Sequence, residues 1–250
     1  MKKFIYLILT ILFIFSCNKK KLDRPNIILI VADDLGWTDL SYMGSKYYET
    51  PNIDKLSKSG ITFLNGYASS ANCAPSRATM MSGKYHPSHG IYTVSPSERG
   101  LDLTRKIIPT KNTENLSLDF FTIAEMLKSK GYVNAHVGKW HLGEKGHYPK
   151  DQGFDVNIGG WESGGPRGGY FSPYSNPNLE NGPEDEYLTD RLTKEAINFI
   201  DDNKDSKFFL HLAFYSVHTP IQSKKEYSNY FKNKPSDKNH NRADYAGMIR

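Results

Sequence analysis

Asn26-Ile27-Ile28-Leu29-Ile30-Val31-Ala32-Asp33-Asp34 is the segment from which the architecture of this 250-residue chain can be inferred. Residues 26–32 form a short, mostly apolar run rich in β-branched side chains, which predicts a strand buried on both faces. Asp33 and Asp34 follow this strand directly. Adjacent carboxylates with no basic neighbour repel each other, and they suit a hard divalent cation such as calcium. A solvated turn is the alternative interpretation.

The rest of the chain alternates helix-like and strand-like segments. Thr50-Pro51 marks the start of a helix that Gly60 ends, and Thr122-Ile123-Ala124-Glu125 is a capping box for a helix that ends near Gly131. Further predicted elements are strands at 61–64, 132–138 and 207–215, and helices at 75–81, at 188–200 and from 243 onward. This alternation predicts one α/β domain, residues 26–250, with a largely parallel sheet.

Charged and histidine side chains that could take part in catalysis or metal binding come directly after three of the predicted strands. Asp33 and Asp34 follow the first strand, Lys139 and His141 follow the strand at 132–138, and His218 follows the strand at 207–215. Side chains alternate along a strand, so Lys139 and His141 are expected on the same side. Because ligands gather at the carboxyl ends of parallel strands, these residues are predicted to form a single site.

Cys73-Ala74-Pro75-Ser76-Arg77, with Gly83 six residues after Arg77, is the most distinctive motif of the chain. Taken alone, the motif could be an ordinary thiol before a helix that starts with proline. The motif resembles the signature of type I sulfatases, and Gly138-Lys139-Trp140-His141-Leu142-Gly143 is similar to a second motif of that family. The resemblance implies an alkaline-phosphatase-like fold, in which a central sheet lies between helices.

The resemblance also implies an unusual nucleophile. In that family a maturation enzyme oxidises the motif cysteine, here Cys73, to formylglycine. One hydroxyl of the aldehyde hydrate attacks the sulfur of a sulfate ester, and the other hydroxyl, once deprotonated, expels sulfate. Asp33, Asp34 and the formylglycine oxygen made from Cys73 are then expected to bind calcium. Arg77 is expected to hold the formylglycine hydroxyl.

By the same resemblance, three further side chains act on the sulfate ester. Lys139 is expected to bind sulfate oxygens, His141 to act as the base that triggers sulfate release, and His218 to contact sulfate and protonate the leaving oxygen. The remaining metal ligands of the family and a second lysine lie beyond residue 250. The resemblance therefore implies that the C-terminal part of the domain is missing from this chain.

The N-terminal residues have the pattern of a targeting segment. Two lysines precede an apolar run at 4–15, which is shorter than the roughly 20 residues that a membrane-spanning helix needs. Ile14-Phe15-Ser16-Cys17 resembles a bacterial lipobox. Residues 1–16 are therefore predicted to be a lipoprotein signal peptide, and residues 17–25 a lipidated Cys17 with its tether. An ordinary secretory signal is the alternative. We expect a protein of the bacterial periplasm or cell envelope, held to the membrane by lipid.

Charge and cysteine content narrow the possible partners. The net charge of +5 is small and basic residues are spread along the chain, so no nucleic-acid partner is expected. Only two cysteines are present, Cys17 and Cys73, and each has a separate predicted use. No disulfide is therefore expected.

Residues 159–169 contain six glycines and predict a long loop. A dinucleotide fingerprint is not expected there, because no buried strand is predicted to lead into the segment. The segment is either a plain flexible loop or a wall of the substrate pocket, where aromatic residues stack on sugars and Arg167 meets an acidic group. His86 and His89 are expected to be loop residues at the pocket rim rather than metal ligands.

The sequence thus predicts a hydrolase of sulfate esters that acts on sulfated carbohydrates, with an aryl sulfate as a further substrate. A phosphodiester or phosphonate monoester hydrolase on the same scaffold is one alternative, because it can share the nucleophile motif. A noncatalytic lipoprotein that captures sulfated glycans is the other. Loss of turnover on Cys73→Ala with the fold intact distinguishes the hydrolases from the binding protein.

Overall fold

A computed structural model describes residues 24–98, 100–237 and 239–250. The predicted signal peptide at 1–16, the lipidated Cys17 and most of the tether at 17–25 lie outside the described residues. In the part of the chain that the structure describes, no helix combines the length and apolarity needed to cross a bilayer.

A four-stranded parallel sheet forms the centre of the described domain. Its strands are β1 (Ile27–Val31), β2 (Val133–Gly138), β3 (Val156–Ile158) and β4 (Phe208–Ala213), in the spatial order β1-β4-β2-β3. The predicted parallel α/β architecture is therefore confirmed. The three-residue strand β3 was not predicted. It leads directly into the glycine-rich segment, but all three of its residues are only partly buried, so no buried strand precedes that segment.

Seven α-helices connect and flank these strands within the described ranges. They are α1 (Pro51–Ser59), α2 (Cys73–Ser82), α3 (His86–His89), α4 (Ile123–Lys128), α5 (Leu188–Asn203), α6 (Lys225–Lys232) and α7 (Ala243–Ile249). The capping box predicted for α4 is present: Thr122 Oγ1 accepts from the Glu125 amide at 3.2 Å, and the Glu125 carboxylate accepts from the Thr122 amide at 2.7 Å. Reciprocal caps of this kind fix the start of a helix as short as α4.

Helices cover both faces of the sheet. On one face α5 buries the apolar stripe predicted from its periodicity, namely Leu188, Leu192, Ala196 and Phe199. On the other face α2 and α4 pack their buried residues against Phe209 of β4. Each fully buried large apolar side chain contributes about 1.5–3 kcal/mol relative to exposure. This packing fixes α2, and with it Cys73, over the carboxyl ends of the strands.

Two predictions about apolar segments were wrong. Residues 61–64 form no strand, and Ile61, Phe63 and Leu64 are 84%, 81% and 76% exposed. Strand β1 is not buried on both faces, because Ile28 and Ile30 are 47% and 57% exposed. Strand β1 is an edge strand that pairs only with β4 among the described residues, and no described element covers its outer face.

Candidate active site

The carboxyl ends of β1, β2 and β4 are joined by backbone hydrogen bonds. The Asp33 amide donates to the Ser216 carbonyl at 2.8 Å, and the Val217 amide donates to the Asp33 carbonyl at 2.6 Å. The Lys139 amide donates to the Ala213 carbonyl at 2.8 Å. The residues that follow three strands are thus held together at one edge of the sheet, as the sequence predicted.

Asp33 is the centre of a buried group of three charged side chains. Its Oδ1 accepts a hydrogen bond from Arg77 Nη2 at 3.0 Å, and its Oδ2 accepts one from Lys139 Nζ at 2.5 Å. Arg77 Nη1 also donates to the Lys139 carbonyl at 2.7 Å. Side-chain exposure is 5% for Asp33, 4% for Arg77 and 0% for Lys139, so solvent screens these charges little.

The charges of this group determine the ionisation of Asp33. Burial alone raises the pKa of Asp33, but the positive charges of Arg77 and Lys139, with a hydrogen bond from each, outweigh burial and hold the pKa below its ordinary value. One carboxylate and two cations leave the group with an excess positive charge, which favours an anion beside it. The contacts expected of Lys139 with sulfate and of Arg77 with a formylglycine hydroxyl stay predictions.

Cys73 is the first residue of α2, and its half-buried thiol contacts His141. The distance from Cys73 Sγ to His141 Nδ1 is 3.4 Å. The reason given for the position of His141 was wrong, because β2 ends at Gly138 and strand alternation does not extend to residue 141. His141 instead has a positive φ of 60° and is fixed by its amide, which donates to the Trp161 carbonyl at 3.0 Å.

His141 is a neutral imidazole in this environment. Burial, followed by the nearby charges of Lys139 and Arg77, lowers the pKa of His141 to about 3 against the opposing effect of Asp33. A neutral imidazole offers a lone pair that can accept a proton from a group at position 73. The geometry therefore suits the role of base predicted for His141.

Asp33, Asp34 and His218 could jointly hold a cation, because one ligand atom from each lies within 4.8 Å of the others. His218 Nδ1 lies 2.7 Å from the Thr219 carbonyl, which only accepts, so Nδ1 carries the proton. His218 Nε2 lies 3.9 Å from Asp34 Oδ2. Cys73 is not in this group, so its expected part in the metal shell stays a prediction.

The donor set fits part of a calcium shell. Two carboxylates suit a hard cation, but calcium takes about six to eight oxygen ligands and imidazole is not among its usual donors. Asp34 is 56% exposed in its side chain and Asp33 is already paired with two cations. These residues can supply the carboxylate side of a cation site, and the remaining ligands must come from elsewhere.

A cavity of about 430 Å³ opens beside His141 and Ala74, the neighbour of Cys73. Cavities of this size are typical of small-molecule sites. Its other lining residues come from four segments of the chain: Ile91, Thr93, Ser95, Asn112, Glu114, Asn115, Gly143, Glu144, Glu162, Ser163, Gly164 and Arg167. Sequence reasoning missed the walls at 91–95 and 112–115, because no motif there indicated chemistry.

The glycine-rich segment at 159–169 forms a wall of this cavity, as one of its two interpretations predicted. Gly164 packs directly on the catalytic candidate: a Cβ added there would lie 2.4 Å from the His141 ring. Among the aromatic residues in this segment and just after it, Trp161, Tyr170 and Tyr174 are buried, so the expectation that aromatic rings there stack on sugars was wrong for these three.

His86 and His89 are not loop residues at the pocket rim. They form the short helix α3, and neither lines the cavity. His89 is buried, with Nε2 3.2 Å from Thr79 Oγ1 and Nδ1 accepting from the Ile91 amide at 3.1 Å. Its partners are therefore structural.

Comparison with known proteins identifies relatives of this chain. The sulfatase family model matches residues 25–250. A sulfatase of Formosa agariphila is 32% identical over 313 residues, covering 100% of this chain and 56% of that protein. The N-acetylgalactosamine-6-sulfatase of Mus musculus is 32% identical over 228 residues, covering 81% of this chain and 42% of that protein. The chain thus spans about half the length of these relatives.

A solved structure is similar as well. The crystal structure of Ps i-CgsB in complex with k-i-k-neocarrahexaose matches with a TM-score of 0.70 and 34% identity, covering 90% of this chain and 52% of that chain. Together with the parallel sheet and its flanking helices, this match identifies the fold as alkaline-phosphatase-like. Because the family model matches residues 25–250, most of the chain, we conclude that this chain belongs to the type I sulfatase family.

Proposed function

We propose that the full protein hydrolyses sulfate esters at the site around Cys73. The observation that carries this proposal is the 3.4 Å contact between Cys73 Sγ and His141 Nδ1, beside the buried Asp33 group and at the edge of a cavity. A nucleophile next to a neutral base is the arrangement that covalent catalysis needs. The excess positive charge of the Asp33 group suits the anionic sulfate.

Formylglycine is the form of Cys73 that we propose for the mature enzyme, made by a separate maturation enzyme. When formed, it supplies a hydrated aldehyde with two hydroxyls on one carbon. The side chains of this chain surround it: His141 accepts a proton through its Nδ1 lone pair, and Arg77 and Lys139 hold positive charge close by. Since Arg77 and Lys139 are buried, their charges act with little screening.

Asp33 and Asp34 are the residues that we propose hold a calcium ion. When bound, the ion supplies positive charge at the nucleophile and at the sulfate oxygens. His218 is the proposed proton donor to the leaving oxygen. With its Nδ1 proton engaged by the Thr219 carbonyl, Nε2 is the atom that can gain and release a proton near Asp34.

Sulfated carbohydrates are the substrate class that we propose. Two relatives support this class by their names, an N-acetylgalactosamine-6-sulfatase and a protein solved with neocarrahexaose. We also propose that the protein acts in the bacterial cell envelope, held by lipid on Cys17. The support for this location is the residue pattern at 4–17 alone.

Sulfate release by the full-length protein, coexpressed with a maturation enzyme, tests the proposal. We expect turnover of 4-nitrophenyl sulfate and of sulfated sugars, and slower turnover of 4-nitrophenyl phosphate and phosphonate monoesters. Cys73→Ala removes turnover, whereas Ser82→Ala, at the far end of α2, retains it. Faster phosphate or phosphonate turnover would support the alternative hydrolase. Sugar binding that survives Cys73→Ala, without wild-type turnover, would support the binding protein.

A further inference from the structure

Arg167 is the only cation that lines the cavity beside Cys73 among the described residues. Its guanidinium lies over the Trp161 ring, 5.7 Å from the ring centroid, and its Nε donates to Ser163 Oγ at 3.2 Å. Ser163 Oγ is in turn fixed by donating to the Gly165 carbonyl at 2.8 Å. The stem and Nε of Arg167 are thus held in place before any ligand arrives.

The outer nitrogens of Arg167 have no protein partner in the described part of the chain. Its only hydrogen bond there is from Nε, and no carboxylate forms an ion pair with it. A guanidinium presents paired N–H groups in a fixed fork that matches the oxygens of a sulfate or carboxylate. The guanidinium of Arg167 is therefore held on the cavity wall with its two outer nitrogens available to donate, an arrangement complementary to an anion.

The other charged residues of the cavity restrict where that anion can lie. Glu114, Glu144 and Glu162 also line it, and the Glu162 carboxylate accepts a hydrogen bond from the Tyr148 hydroxyl. Three carboxylates repel an anion but accept hydrogen bonds from sugar hydroxyls. A negatively charged group is therefore favoured at Arg167 only, and the hydroxyl edge of a sugar is favoured along the glutamates.

We propose that Arg167 is a specificity-determining residue that binds a second anionic group of the substrate, apart from the sulfate ester that is cleaved. The proposal rests on the proposed function, because the first sulfate is placed at Cys73. The group that Arg167 binds is a planar or tetrahedral oxyanion, on the sugar that carries the reacting ester or on the neighbouring sugar. This oxyanion is either a second sulfate or the carboxylate of a uronic acid.

Calorimetric binding to the full-length Cys73→Ala protein tests this assignment without depending on turnover. The probes are a neutral monosulfated sugar, a disulfated monosaccharide and a monosulfated uronic acid. We expect the Cys73→Ala protein, the parent for the variants below, to bind at least one dianionic sugar more tightly than the monosulfated sugar. Arg167→Gln then reduces this preference by about 10- to 100-fold, the loss typical of a charged hydrogen-bonded fork. The dianionic probe that loses affinity identifies the source of the anion.

Two further variants separate a specific fork from general charge. Arg167→Lys retains the charge without the fork, and we expect it to restore only part of the preference. Lys150→Gln removes an exposed cation that lines a neighbouring groove rather than this cavity, and the preference stays at the parent value. A parent without preference, a preference unchanged in Arg167→Gln, or an equal loss in Lys150→Gln would overturn the assignment. Sulfate release by the wild type from the same sugars tests the proposed function separately.

Discussion

Replacing Asp33 by Asn should destabilise the protein far more than replacing its neighbour Asp34. Asp33 neutralises Lys139, which is fully buried, and Arg77, which is 4% exposed. At an effective dielectric of about 20, each pair at these distances is worth about 6 kcal/mol before desolvation is subtracted. Removing one partner of a buried pair typically costs about 3–5 kcal/mol net, because the other charge stays buried and unpaired. We expect a loss in that range for Asp33→Asn.

Asp34→Asn is the matched control, because it makes the same chemical change one residue away. The Asp34 side chain is 56% exposed and its nearest cationic candidate, His218 Nε2, is 3.9 Å away. Exposed pairs contribute about 0–1 kcal/mol, so this variant should lose no more than that. Urea unfolding of the full-length proteins in a chelator, which removes any contribution of a bound cation, measures both losses. Equal losses, or a loss below about 1 kcal/mol for Asp33→Asn, would refute the argument from burial.

Three further outcomes are expected. Gly138→Ala should lower the free energy of unfolding by more than about 3 kcal/mol, because the added Cβ would lie 2.0 Å from a β4 carbonyl oxygen at a φ of +104°. Gly131→Ala, at a φ of +80° with open space around it, should lower it by about 1–2 kcal/mol, and thermal unfolding measures both losses. Burial lowers the pKa of His136 and of His141 to about 3, so unfolding takes up a proton at each below about pH 6.5. Stability should therefore fall from pH 6.5 towards pH 3, by about 1.4 kcal/mol per pH unit for each imidazole. Unfolding midpoints that do not change across this window would be inconsistent with two neutral buried rings. Calcium should raise the Tm of the full-length protein and Asp34→Asn should reduce the rise, whereas an equal rise in both proteins would place the cation elsewhere.

The grouping of the candidate residues could be predicted from the sequence because it depends on local signals. Asp33 and Lys139 each come directly after an apolar run, and parallel pairing through β4 brings both runs to one edge of the sheet. The helix that carries Cys73 is signalled by the residues around Pro75. Local patterns of this kind do not depend on distant contacts, so they can be recognised from the sequence alone.

The roles of individual side chains depended on contacts that no local pattern encodes. Arg77 was predicted as an active-site donor, but its two partners, Asp33 and the Lys139 carbonyl, lie just past the ends of β1 and β2, 44 and 62 residues away along the chain. The position of His141 depends on the carbonyl of Trp161, in the glycine-rich wall. Tertiary packing determines such partners, and only their chemical type could be anticipated.

Strand predictions failed where pairing or burial had to be supplied by distant residues. Residues 61–64 have a composition typical of strands, but β-propensity largely reflects packing against neighbouring strands, and no described strand lies beside them. Strand β3 has only three residues with Asn157 at its centre, so its composition gives almost no signal. It forms because β2 provides an edge with which its backbone can pair.

The mass of the tryptic peptide that contains residue 73, measured on preparations of graded sulfatase activity, shows whether formylglycine at this position is the nucleophile. Conversion of Cys73 to formylglycine makes this peptide lighter by about 18 mass units, the difference between the thiol and the aldehyde nucleophile. We expect the lighter fraction to rise in proportion to the rate of sulfate release. Full activity in a preparation whose residue 73 is entirely thiol would contradict this expectation.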